Sequence, residues 1–154
     1  MGFTKLGLNE KLLKALELMH FSEPTPIQAS CIPKVLAGKD VIGQSFTGSG
    51  KTAAFGLPIL GKIVPGSGIQ LLVLTPTREL AVQVRDHLDQ MAKFLPVNIY
   101  SIYGGTGFFQ QYEDIKNAEA IVATPGRLLD HLRRGTIKLH DVKFVVLDEA
   151  DKML

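Results

Sequence analysis

Short apolar runs punctuate the chain at Val41 to Ser45, Leu71 to Thr75, Ile99 to Tyr103, Ala120 to Ala123 and Phe144 to Leu147. Each is too short for a helix and too continuous for a half-solvated strand, so each reads as a strand buried on both faces. Between most of them lie segments with helical spacing. The clearest is Thr77 to Phe94, which sets Leu80, Val84, Leu88 and Met91 on one face. Strands alternating with helices predict an α/β fold, with a mostly parallel sheet covered by helices on both faces.

The first forty residues follow a helical pattern only. Leu8, Leu12, Leu13, Leu16 and Met19 recur at helical spacing, with Asn9 as N-cap. His20 is placed to stop that helix in the left-handed conformation, which histidine tolerates better than most residues. A second helix starts at Thr25 as N-cap with Pro26 in its first position, and Gly38 ends it. Cys31 falls on its apolar face with Ile27, Ile32 and Val35 and is read as core. Gln28 sits on the same helix. Its amide can satisfy a neighbouring backbone group or pair with an adenine edge, and spacing alone does not choose.

With 154 residues, 45% of them apolar, the chain can bury the core of a single domain. A formal net charge of +2 does not announce a nucleic-acid protein, so any such binding must come from local placement of Arg and Lys. One cysteine excludes an internal disulfide and suits a reducing compartment. No apolar run approaches a membrane span, and the expectation is a soluble, monomeric, cytoplasmic protein with no membrane partner, a nuclear site staying open only in a eukaryote. Pro65 to Gly68 is read as a short flexible loop.

Polar clusters follow the strands: Ser45 to Thr52, Pro76 to Glu79, Gly104-Gly105, Thr124 to Arg127, and Asp148 to Asp151. In an open parallel sheet the strand carboxyl ends form the ligand-binding rim. In Thr47-Gly48-Ser49-Gly50-Lys51-Thr52, glycines expose backbone N–H groups to phosphate oxygens, Lys51 reaches the outer phosphates, and Thr52 ligates Mg2+. The alternative is a plain glycine turn. Asp148-Glu149, closing the run Val145-Val146-Leu147, supplies the acidic pair that a phosphate-transfer site also needs, as a Walker B element does.

Together these motifs resemble, in order and over nearly the whole chain, the first RecA-like domain of a DEAD-box ATP-dependent RNA helicase. The resemblance rests on Phe3, Phe21 and Pro24 to Gln28 for the Q motif, Thr47 to Thr52 for motif I, and Pro76 to Ala81 for motif Ia. Gly104-Gly105, Thr124 to Arg127 for motif Ib, and Asp148-Glu149-Ala150-Asp151 for motif II complete the set. Ser45-Phe46 stands where the family has Ala-Gln, and His20 where it has Gly.

The resemblance implies a RecA-like P-loop domain that is incomplete at its C-terminus, with residues 1–38 as a Q-motif helical lead and 39–154 as the ATP-binding core. It implies ATP and Mg2+ as cofactors. Phe3, Phe21, Thr25, Gln28 and Thr47, Gly48, Ser49, Gly50, Lys51, Thr52 would bind the nucleotide, with Gln28 on the adenine edge and Phe3 near the base. Thr52 and Asp148 would hold the metal, Lys51, Asp148 and Glu149 would act in hydrolysis, and Asp151 would link motif II to its neighbours. Thr77, Arg78, Gly104, Gly105, Thr124, Pro125, Gly126 and Arg127 would follow the RNA backbone without reading sequence; for Thr77 and Thr124, plain N-capping is the compatible alternative. It also implies that motif III, the remaining strands and a second RecA-like domain lie outside these residues. The phosphate-loop strand and the Asp148-Glu149 strand would then each keep an unpaired edge. The other reading is a stand-alone nucleotide- or RNA-binding module without turnover. A small-molecule P-loop kinase would leave Gln28, Gly104-Gly105 and Thr124 to Arg127 without a role.

Overall fold

The computed structural model describes residues 2–45 and 50–153. The chain sorts into two compact units, Met1–Lys62 with His87–Pro96, and Ile63–Asp86 with Val97–Leu154.

The first unit is helical. A 3-10 turn, Gly2–Lys5, precedes α1 (Glu10–Leu18), α2 (Pro26–Leu36) and α3 (Lys51–Leu60). The expected caps form. Asn9 Oδ1 accepts from the Leu12 N–H at 2.9 Å. His20, at φ +60, stops α1: its N–H donates to the Glu17 carbonyl at 3.1 Å and that of Phe21 to the Leu16 carbonyl at 2.9 Å, the paired closure typical of a left-handed terminus. Gly38, at φ +82, ends α2 in the same way. Leu12, Leu16, Ile32, Leu57 and Leu60 fill the interior, and Cys31 is buried beside them. Gly56 allows close packing, since a Cβ there would come within 2.7 Å of Leu88 Cδ2 and 3.0 Å of Met91 Cε at the end of α4 (Arg78–Met91).

The second unit is a parallel sheet. Strands β1 (Leu71–Leu74), β2 (Ile99–Ile102), β3 (Ala120–Ala123) and β4 (Phe144–Leu147) lie in the order β2-β3-β1-β4, with Leu71 level with Ala120 and Phe144, and Ile99 level with Ala120. Four of the expected strands therefore form within a residue of their predicted bounds. On one face Leu72, Ile102 and Ile121 pack with Ile115 of α5 (Phe108–Lys116) and Leu128 of α6 (Pro125–Arg134). Leu71, Val73 and Val122, on the other face, are wholly buried too, which is why these runs are apolar throughout rather than alternating.

The expected strand at Val41 to Ser45 does not form. These residues carry no ladder bonds, and Ile42 is 100% exposed. A β-run acquires regular structure only when its N–H and C=O groups meet a neighbouring strand, and among the described residues β4 closes the sheet without a further partner. The unpaired edge expected for the Asp148-Glu149 strand is present, with Val145 61% and Leu147 56% exposed. The Pro65 to Gly68 loop, read as flexible, is tied down. Gln70 donates to the Val64 and Gly68 carbonyls at 2.7 and 3.1 Å, and Glu119 accepts from the Gly66 N–H at 2.8 Å.

Candidate functional site

Within the helical unit, Gln28 joins α2 to the start of α3. Its Oε1 accepts from the Thr25 N–H at 2.9 Å, closing a capping box with the Thr25 hydroxyl, and its Nε2 donates to the Gly50 carbonyl at 3.1 Å. The backbone-satisfying role is thus realised, and it occupies one N–H and one lone pair of an amide that offers two of each. Gly50 takes φ +85, and a Cβ there would collide with the Gln28 amide, so only glycine fits. Gly50 supplies no side-chain cap to α3, which leaves the first-turn N–H groups beside Lys51 and Thr52 aimed out of the helix. Lys51 and Thr52 are half-buried. The contacts expected of Thr47, Gly48 and Ser49 lie outside the described residues. Phe3 is only 3% exposed and its ring lies 6.5 Å from that of Phe21, which at 39% exposure presents the open aromatic face.

Within the sheet unit, the sheet order sets the remaining clusters side by side at the strand carboxyl ends: Gly104-Gly105 after β2, Thr124 to Arg127 after β3, Thr77-Arg78 after β1, and Asp148-Glu149 after β4. Thr77 caps α4 through its hydroxyl, which accepts from the Leu80 N–H at 3.2 Å. Thr124 makes no such cap bond, and Pro125 occupies the first turn of α6. Arg78 lies 5.4 Å over the Tyr103 ring, and a Cβ at Gly105 would be 3.4 Å from Arg78 Nη1. Gly104 and Gly126 face open space. The Asp148 N–H extends the β1 ladder to the Leu74 carbonyl at 2.9 Å. Glu149 then turns into the left-handed region at φ +53, an uncommon conformation for glutamate, and its carboxylate pairs with Lys152. That hydrogen bond raises the Lys152 pKa.

Arg127 already has partners within the sheet unit. Its side chain is 13% exposed and its Nη1 donates to Gln111 Oε1 at 2.9 Å, with the Thr106 carbonyl at 3.4 Å from both terminal nitrogens. Behind it His131 is fully buried, stacked on Phe108 with centroids 4.2 Å apart, and its Nδ1 is 2.7 Å from Thr136 Oγ1. Burial chiefly, then the Arg127 and Arg134 guanidinium groups, lower its pKa; Asp130 opposes them. A histidine whose folded pKa is depressed binds fewer protons folded than unfolded, so its contribution is intact above about pH 6.5 and is lost as the pH falls below that value. Thermal unfolding from pH 8 to 5 should show an acid-side loss of stability that His131→Gln reduces; identical acid limbs in the two proteins would contradict it.

Gln111 and His131 had no place among the expected site residues, because a polar residue on an amphipathic helix reads as solvated. The only sequence signal was position: Gln111 falls four residues before the buried Ile115, on the apolar side of α5. No helix among the described residues is long and apolar enough to cross a membrane.

The model of the DEAD/DEAH box helicase family matches residues 25–154. The chain is 51% identical, over 99% of its length, to the DEAD-box ATP-dependent RNA helicase CshA of Geobacillus kaustophilus, and 50% identical to the ATP-dependent RNA helicase DeaD of Haemophilus influenzae. It spans 33% of the first relative and 25% of the second. Among solved structures it superposes on a DEAD box protein from Methanococcus jannaschii with a TM-score of 0.96 and 43% identity, covering 99% of this chain and 42% of that one. A hypothetical ATP-dependent RNA helicase from Sulfolobus tokodaii gives 0.88 and 42% identity over 95% of this chain and 43% of that one. With a family match over most of its length, half its residues shared with named helicases, and a RecA-like parallel sheet, the chain belongs to the DEAD/DEAH box helicase family.

Proposed function

We propose that this chain is the ATP- and RNA-binding part of a DEAD-box RNA helicase whose full protein couples ATP hydrolysis to local RNA unwinding or RNP remodelling. The observation that carries this reading is the order of the rim. Three clusters rich in glycine, threonine and arginine and one acidic pair stand at neighbouring strand ends, β2, β3, β1 and β4, as an RNA track ending at an acidic pair would require. The names of its relatives, ATP-dependent RNA helicases, supply the substrate classes.

In this reading Gly48, Ser49, Gly50 and the α3 N-terminus cradle the ATP phosphates, with Thr47 on the same loop and Lys51 on the outer phosphates. The two amide positions of Gln28 left unused meet the adenine edge, with Thr25 holding that amide and the Phe21 ring nearer the base than the buried Phe3. A single carboxylate, Asp148, and a hydroxyl, Thr52, suit Mg2+, which binds through one or two carboxylates together with substrate phosphates rather than in an all-protein cage. Among the described residues no cluster of three or more His, Cys, Asp or Glu side chains could hold a metal by itself. When bound, the metal neutralises charge on the transferring phosphoryl group. Glu149 takes a proton from, or orients, the attacking water. RNA phosphates meet Thr77, Arg78, Gly104, Gly105, Thr124, Pro125, Gly126 and Arg127, none of which reads base identity.

Catalysis then needs the second RecA-like domain, since an arginine finger is worth about 10³ to 10⁵ in rate. Mg-ATP should raise the unfolding temperature of the chain alone. RNA-stimulated ATPase should appear only on mixing it with a separately produced second domain. Failure of Mg-ATP to shift the transition would remove the nucleotide site; an equal ATPase rate with and without RNA would remove the coupling.

A further inference from the structure

Gly104-Gly105 has no side chains with which to hold its own shape, and Gly105 adopts φ +83. The residues on either side are held instead. Gln111, 5% exposed on α5, spends both amide N–H groups on them: one reaches the Tyr103 carbonyl at 3.0 Å and the other the Thr106 hydroxyl at 2.8 Å. Its oxygen accepts from Arg127 Nη1 at 2.9 Å. Because a guanidinium can only donate, that contact also fixes which end of the amide faces which way. The Thr106 hydroxyl in turn donates to the Tyr103 carbonyl at 3.2 Å, closing a ring of bonds around the two glycines. One buried amide thereby connects the loop after β2 with the arginine that follows β3.

From this we infer that Gln111 is a positioning residue for RNA: it pre-forms the Gly104-Gly105 loop and seats Arg127 against it, so that a phosphate meets N–H groups already aimed. The inference rests on the RNA reading above. Its physical content is preorganisation, since a loop ordered before binding avoids an ordering cost on binding, expected here to be worth roughly three- to tenfold in affinity.

The test uses the 154-residue chain, a fluorescently labelled oligouridylate and Mg-ATP. Gln111→Met keeps the apolar length of the side chain and removes every hydrogen bond. It should weaken oligouridylate binding about three- to tenfold while the rise in unfolding temperature given by Mg-ATP stays at the wild-type value. Equal weakening of both ligands would mean a merely structural role and overturn the proposal, as would wild-type RNA binding. Thr106→Val, on the exposed loop, removes one partner without touching the core and decides the matter should Gln111→Met not fold; RNA binding must weaken there too, and wild-type binding overturns the proposal. Arg78→Ala separates the two readings. Loss of affinity with a shallower salt dependence upholds the RNA track irrespective of Gln111, whereas unchanged RNA binding in both Arg78→Ala and Arg127→Ala would sink the track and the proposal with it.

Discussion

Glu149→Gln is expected to lower RNA-stimulated ATP hydrolysis by about 10²- to 10⁴-fold, the usual worth of a positioned general base, with Mg-ATP binding retained. The substitution preserves shape and hydrogen-bonding reach and removes only the basicity. The backbone supports a functional rather than an architectural role: glutamate at φ +53 costs conformational energy that a glycine would not. In the structure its carboxylate pairs with Lys152 on the exposed 3-10 turn Ala150–Met153. Lys152→Ala should therefore leave hydrolysis near the wild-type rate, since an exposed i,i+3 pair contributes little. Lys51→Ala should give the contrasting pattern, loss of nucleotide binding itself, because the proposed reading sets its cation on the outer phosphates. The measurement is single-turnover hydrolysis by the chain mixed with its second domain and RNA. If Glu149→Gln turns over like the wild type, the proton is taken elsewhere.

How much of this was legible beforehand depended on whether the signal was local. Asn9, His20, Thr25 and Gly38 bound their helices as expected because a cap is decided by a few adjacent residues. Ala120–Ala123 and Phe144–Leu147 formed over their predicted bounds because apolar runs of that length have no other stable use in an α/β domain. Val41 to Ser45 opens with an apolar pair, Val41-Ile42, of the same kind and forms no strand, since a strand is a property of a pair. Composition records the tendency and not the neighbour.

The site divides along the same line. The glycine turn, the acidic pair and the threonine-led helix starts are contiguous motifs whose chemistry is written in adjacent residues. Gln111 is not: its partners are Tyr103, Thr106 and Arg127, up to 16 positions away, and only the fold brings them together. Arg127 shows the reverse case. The motif leads to an expected phosphate contact, and what no motif shows is that at 13% exposure its guanidinium also bonds Gln111 and Thr106. Phe3, expected near the nucleotide base, is packed inside with Phe21 outermost, because an aromatic side chain gains most from full burial.

Glu119→Ala should lower the stability of the chain by about 3 kcal/mol, within the range for losing hydrogen bonds to a charged group, and its unfolding temperature by roughly 6–12 °C for a domain of this size. Glu119 interrupts an apolar run between Ala118 and Ala120 and is 5% exposed. Burying a carboxylate is costly unless its oxygens are used, and here both are: Oε1 accepts from the Asn98 N–H at 2.6 Å and Oε2 from the Gly66 N–H at 2.8 Å. Its main-chain carbonyl also accepts from the Gln70 and Leu71 N–H groups. One residue thus ties the entries to β1, β2 and β3 together at the amino ends of the strands. Those ends lie opposite the rim that carries Arg78, Gly105 and Arg127, so the loss should fall on stability and leave RNA affinity unchanged in the folded fraction. Glu119→Gln, which keeps one acceptor, should lose less than Glu119→Ala. Urea unfolding of the three proteins checks the order, and equal midpoints for wild type and Glu119→Ala would show that the two N–H groups find other partners.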